Sequence, residues 1–207
     1  MKAIKFFATL LMLFTLSFGV SAQTLTKAQE KAVKKQVKEF QKEGWKVKPG
    51  SLSLADQITR STQAQMEQNA DGYEKWIIGE GSSVGTIYDA ARTQALTVAQ
   101  GEISRRLKTD MTSQIEQNLA NEQFAEAEAE SIAQTIVTAM GKSIDQKINR
   151  PRNLIECYRE LPNGNVEVLI RAAVSSETLN TLAKAAIEQA RRDYLLKKID
   201  ENKSKVE

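Results

Sequence analysis

Alanine returns at every fourth position through Ala91, Ala95 and Ala99, directly after a stretch punctuated by Gly79, Gly81 and Gly85. Residues that recur every fourth place share one face of a helix. Tyr88, Leu96, Ile103 and Leu107 flank the alanines and widen that face into a broad apolar stripe. Alanine costs nothing in helix propensity and lets a helix axis come close to whatever it packs on. The residues before the glycines, Tyr73, Trp76, Ile77 and Ile78, are aromatic and β-branched, as a buried strand requires. The stretch Lys75–Leu107 therefore reads as a strand, a glycine turn and a helix laid on a sheet. Arg92 and Arg106 border the stripe, and their aliphatic stems are expected to cover its edge while the charges reach water.

A glycine turn before a helix also has a chemical reading, because the free N–H groups of a helix N-terminus can hold a phosphate. The spacing is Gly79-x-Gly81-x-x-x-Gly85, which is not the dinucleotide fingerprint. It lacks the lysine of a P-loop, and no repeated strand–helix units follow. The glycines are expected to be structural.

Two further features set the sheet. Pro162-Asn163-Gly164-Asn165 is a hairpin turn, since Asn-Gly supports the positive φ values that tight hairpins need. It joins candidate strands at 153–161 and 165–174. Val166, Val168, Ile170, Ala172 and Val174 alternate strictly, whereas Glu167 and Arg171 share the other face with Leu169 and Ala173. That second face is expected to be only partly wet.

The N-terminal stretch points to a compartment. Lys2 and Lys5 precede a nearly continuous apolar run from Phe6 to Phe18, and Val20-Ser21-Ala22 offers small residues before Gln23. This is the pattern of a secretory signal peptide, with cleavage expected between Ala22 and Gln23. The run is too short and wrongly flanked for a typical spanning helix. No second long apolar run follows, so no transmembrane helix is expected in the mature chain. Removal of residues 1–22 takes away Lys2 and Lys5, lowering the formal net charge from +3 by two. A near-neutral chain lacks the basic excess of a nucleic-acid binder. Cys157, the single cysteine, cannot form an internal disulfide and is expected to be a small core hydrophobe.

Thr26 and Gln29 form a capping box that opens a helix over 26–43. Val33, Val37 and Phe40 mark one face, with Trp45 just beyond. Lys27, Lys31, Lys34, Lys35, Lys38 and Lys42 populate the other, against Glu30, Glu39 and Glu43. Such a helix can meet an anionic lipid or polysaccharide surface. The narrow apolar stripe and the interspersed acids favour a solvated lysine face over a docked helix. Lys48-Pro49-Gly50-Ser51 is a turn, and Ser53 with Asp56 opens a second helix running to about Ala70. The two make an N-terminal helical hairpin.

Between the central helix and the hairpin the periodicity is double. Met111, Ser113, Ile115, Gln117 and Leu119 alternate, while Met111, Ile115 and Leu119 also recur every fourth residue. Abundant Gln, Glu and Asn favour helix. Phe124–Met140 reads as another helix, with Gly141 as its stop. Ser175 or Ser176 is expected to cap a last helix, with Leu179, Ala183, Ile187, Ala190 and Tyr194 on its buried stripe, before a charged tail. The organisation expected is a signal peptide at 1–22, a basic helical hairpin at 23–72, an α+β domain at 73–200 and a tail at 201–207. The fold class is α+β, with a small, mainly antiparallel three-stranded sheet and helices laid on one of its faces.

GEGSSVGTIYDAARTQALTVAQGEISRRL, with NLIECYRELPNGNVEVLIRAAV downstream, is similar to the Lpp-twenty lipoprotein family of bacterial cell envelopes over about Tyr73 to Val174. The resemblance implies a small α+β domain exported to the envelope, at the outer membrane or around surface appendages. It implies no catalytic residue set and no cofactor. It points to a binding or assembly role with an envelope protein or with a second copy. The chain departs from the family pattern in lacking a lipid-acceptor cysteine after the signal and in carrying the basic N-terminal hairpin.

The chain contains no histidine. Ser-His-Asp and Cys-His pairs and the usual zinc catalytic sets are therefore ruled out. Glu156 beside Cys157 raises the thiol pKa and does not activate it. Glu126, Glu128 and Glu130 spread around their helix. For a carboxylate-dependent hydrolase or transferase, the best acids are Glu80 beside the glycines and Asp89 at the helix start. Turn hydrogen bonding and the helix dipole account for them more simply.

Overall fold

The computed structural model describes residues 25–69, 72–121, 126–148 and 150–177, with a few single positions between 181 and 192. The signal region, with Ala22 and Gln23, lies outside the described residues. So do Phe124, the apolar stripe expected for the last helix, and the tail.

The described elements are α1 (Lys27–Lys42), α2 (Leu54–Met66), β1 (Trp76–Gly85), α3 (Tyr88–Asn121), α4 (Glu126–Lys147), β2 (Arg152–Glu160) and β3 (Val166–Ser175). The fold is α+β. The strands form one antiparallel sheet in the order β1-β3-β2. The β2–β3 hairpin turns at Gly164, whose φ is +80°. β1 returns to pair with β3 along its whole length, from Trp76 opposite Ser175 to Gly85 opposite Val166.

The glycine turn expected after Ile78 does not exist. β1 continues through Gly79, Gly81 and Gly85, none of which has a positive φ. Their role is spatial. Gly79 and Gly81 lie under α3, and a Cβ on Gly79 would stand 2.8 Å from Ile103 Cγ1. A Cβ on Gly81 would stand 2.5 Å from Ala99 N. Missing side chains on the strand thus meet the shortest side chains on the helix, and two backbones come into contact. Ala91, Ala95, Ala99, Ile103 and Leu107 are all buried along this line.

Beyond Leu107 the helix goes on without a break. Met111, Ile115 and Leu119 are buried, and α4 covers them with Ala129, Ala133 and Val137. The fourfold recurrence therefore prevails over the twofold one in 109–120. α4 runs through Gly141 to Lys147, so that glycine is not a stop. Glycine inside a helix lowers its stability without ending it when packing on a neighbour supplies the helical free energy.

Helices cover both faces of the sheet, not one. Val168, Ile170 and Ala172 of β3 point to α3. The opposite face carries Ile155 and Cys157, which pack with Ile58 of α2 and with Val33 and Trp45. Leu154 and Ala173 pack there with Ala64. A bulge between Asn153 and Ile155 turns two successive residues, Leu154 and Ile155, to the same apolar side. The partly wet face read from β3 is thus completed by β2 and closed by α2.

α1 and α2 begin as expected. Thr26 and Gln29 make the full capping box, and Ser53 accepts a hydrogen bond from the Asp56 N–H. α2 ends at Met66, and Gln68 bridges Glu74 on the way to β1. Lys46 exchanges two backbone hydrogen bonds with Tyr158, at 2.7 and 2.8 Å. The helical hairpin is therefore tied into the sheet by its linker.

Candidate functional site

Glu80 projects from β1 towards α2. Its neighbour across the ladder is Arg171, whose Nε and Nη2 donate to Glu80 Oε2 at 2.8 and 2.5 Å. Arg171 Nη1 also donates to Ser61 Oγ at 3.0 Å, fixing the guanidinium against α2. Asp89 lies in the first turn of α3, on the helix that covers the other face. The two acids singled out from the sequence are thus separated by the sheet, and the structure does not bring them together.

A cleft of about 620 Å³ runs along the outer side of β1 between α2 and α3. Glu74, Glu80 and Glu102 line it together with Trp76, Arg106 and Arg171. Arg106 does not simply extend to water: its Nη1 donates to the Ile78 carbonyl at 3.0 Å, and its Nη2 reaches Glu74 at 3.4 Å. Glu102 is held by Arg105 at 2.7 Å. Alternating charges in the cleft are therefore already paired.

Arg92 is the second arginine whose charge is not given up to water. Its Nε and Nη2 donate to Glu156 at 2.6 and 3.1 Å. The Tyr88 hydroxyl donates to the same carboxylate at 2.7 Å and Asn153 Nδ2 at 2.8 Å. Burial alone would raise the Glu156 pKa, but these donors and the Arg92 charge hold it below the ordinary carboxylate value. Burial and the same anion push the Tyr88 phenol well above its usual value. Charge proximity gave no hint of this cluster in the sequence, because Arg92 and Glu156 lie on elements far apart in the chain. The one available signal was the i, i+4 placement of Tyr88 and Arg92 on one helix edge.

Cys157 is buried, 1% exposed, among Ile58, Val33 and Trp45. Burial pushes its thiol up to about 12, and Glu80 adds to the shift. A thiol so raised and so buried is not a nucleophile at neutral pH. Among the described residues no group of three or more Cys, Asp or Glu is placed to hold a metal ion.

On α1 the six lysines are exposed, as the sequence reading had it, and Lys35 pairs with Glu39 at 3.7 Å. Val33 is buried, and Val37 and Phe40 are half-buried against the second core. An open groove of about 610 Å³ remains between α1 and α2. Leu25, Val33 and Val37 form one wall, and Ala55, Thr59 and Gln63 form the other. Sequence reasoning missed this groove. Its signal was the short side chains of Ala55 and Thr59 at i and i+4 of α2. Among the described residues no helix is long and apolar enough to cross a membrane.

No family model matches the chain, and neither the curated proteins nor the solved structures contain a match.

Proposed function

We propose that this chain is a non-catalytic exported protein of the bacterial cell envelope that acts by binding or assembling with a partner, an envelope protein or a second copy. The Lpp-twenty resemblance over Tyr73 to Val174 and the signal pattern at 1–22 support export to the periplasm or outer-membrane periphery, or release from the cell. The observation that carries the non-catalytic reading is the engagement of Glu80. Two Arg171 nitrogens hold one of its oxygens, and the sheet stands between it and Asp89. With Oε2 taken up by Arg171 and Asp89 on the far side of the sheet, Glu80 lacks the partner acid that the carboxylate reading needs beside the glycines.

The second reading is a small periplasmic hydrolase or transferase that uses carboxylates. The cleft beside β1 favours it, because Glu74, Glu80 and Glu102 share one wall system. Affinity capture from envelope fractions, with identification of what is recovered, separates the two. Recovery of an envelope protein or a second copy in stoichiometric amount, unchanged by Glu80→Gln, is the expected result. Turnover of an envelope substrate that Glu80→Gln abolishes would establish the hydrolase or transferase instead.

A further inference from the structure

The groove between α1 and α2 has one charged border. Lys27, Lys31, Lys34, Lys38 and Lys42 recur at i, i+4, i+7, i+11 and i+15, so they form a single stripe along α1. Lys34 and Lys38 line the groove itself, and Glu30 is its one acidic lining residue. All five lysines are exposed, and among the described residues none of the five takes part in an ion pair. Behind the stripe the walls are apolar or uncharged: Leu25, Val33 and Val37 on one side, Ala55, Thr59 and Gln63 on the other. The volume of about 610 Å³ falls within the roughly 300–1,000 Å³ of clefts that hold small molecules.

An apolar slot with a row of unneutralised ammonium groups along one lip is complementary to a molecule with an apolar tail and an anionic head. A purely polar polyanion would leave the slot empty. A neutral lipid would leave the lysines without a counter-charge. We infer that the α1–α2 groove binds one acyl chain of an anionic phospholipid, with its phosphate seated on Lys34 and Lys38. This rests on the binding role proposed above and names the chemistry of one partner.

The test titrates the protein, as the producing cell yields it, with lysophosphatidylglycerol bearing a fluorescent acyl chain. Lysophosphatidylcholine with the same chain is the neutral control. Saturable one-to-one binding is expected, about ten-fold tighter for the anionic lipid, a difference that corresponds to about 1.4 kcal/mol. Thr59→Trp fills the slot from a half-buried position and is expected to weaken both lipids about ten-fold. Lys34→Glu with Lys38→Glu changes only exposed groups and is expected to erase the anionic preference while chain binding persists. Circular dichroism melts of both variants confirm that they fold.

Equal affinity of the native protein and Thr59→Trp for the anionic lipid would overturn the inference. So would unchanged selectivity in the double lysine variant. Undiminished binding of Thr59→Trp to phosphatidylglycerol vesicles would place the lysines on a membrane surface with the slot unused. A self-association that Thr59→Trp abolishes, with no lipid bound, would give the groove to a second copy. Envelope capture repeated with Thr59→Trp keeps the two failures apart, since a protein partner still recovered leaves the broader binding role standing.

Discussion

Gly81 of β1 sits directly beneath Ala99 of α3, and a methyl group added to the glycine would lie 2.5 Å from the Ala99 backbone nitrogen. Neither partner can withdraw. Gly81 is held by the ladder to Ile170, and Ala99 by the hydrogen bonds of a 34-residue helix.

Gly81→Ala and Gly79→Ala are therefore each expected to destabilise the fold by about 2–3 kcal/mol, since overpacking against backbone cannot be relieved by a rotamer change. Gly101 is the internal control. It lies in α3 with nothing within 4 Å of an added Cβ, so Gly101→Ala is expected to stabilise by about 0.5–1 kcal/mol. Urea unfolding midpoints measured by circular dichroism rank the three. A Gly81→Ala midpoint equal to that of the native chain would disprove the close contact.

Arg92→Ala removes the principal donor to Glu156 while burial of that carboxylate remains. Both groups are partly exposed, which screens the loss, and a cost of about 1–2 kcal/mol is expected. Glu156→Gln keeps hydrogen-bonding capacity and should cost less. Thermal melts of the two variants at neutral pH check the order, and the reverse order would remove Arg92 from the role given to it.

Acid sensitivity follows from the same carboxylate. Glu156 is held below its ordinary value. Glu67 is lowered too, first by the Trp76 indole hydrogen bond and then by Lys75. In the window below the ordinary carboxylate pKa the unfolded chain binds more protons at these sites, so stability rises with pH there. Their contribution is complete above the unfolded values of about 4.3 and is lost as pH falls through the lower folded values. Asp110 is raised by burial and opposes them from above. Melting temperature should fall as pH drops below about 4, and Arg92→Ala should flatten that dependence. An identical slope in the variant would assign the acid limb to other groups.

The Cys157 thiol should resist a water-soluble maleimide at pH 8 for as long as the protein stays folded, since burial raises it to about 12 and closes access. In urea it should react at once. Mass spectrometry of the labelled protein measures this, and rapid labelling of the native state would contradict the packing of Val33, Ile58 and Trp45 around it.

Residues that act through local period were legible in the sequence. Thr26 with Gln29, Ser53 with Asp56, and Asn163 with Gly164 each fix an end or a turn through groups a few positions apart, and all three fold as read. Periodicity also found the alanine line of α3. Glycine was read for the conformations it permits, whereas Gly79 and Gly81 are used for the volume they leave out. That difference depends on what lies above the strand, which no local pattern contains. The same limit applies to Arg92 and Arg106, whose partners Glu156 and Ile78 are supplied by the fold, and to the bulge at Leu154 that builds the second apolar face. Of the site, the lysine row was visible as spacing along one helix. The slot beside it was not, because it is made by the distance between two helices.

α3 serves two neighbours in succession. Its first half lies on β1, and its second half lies against α4, which among the described residues leans chiefly on that helix. The molecule is thus built in two storeys on one continuous beam. Loss of the upper storey bares Met111, Ile115 and Leu119 but leaves the alanine seat undisturbed, so amide exchange should separate into a slow lower tier and a faster upper one.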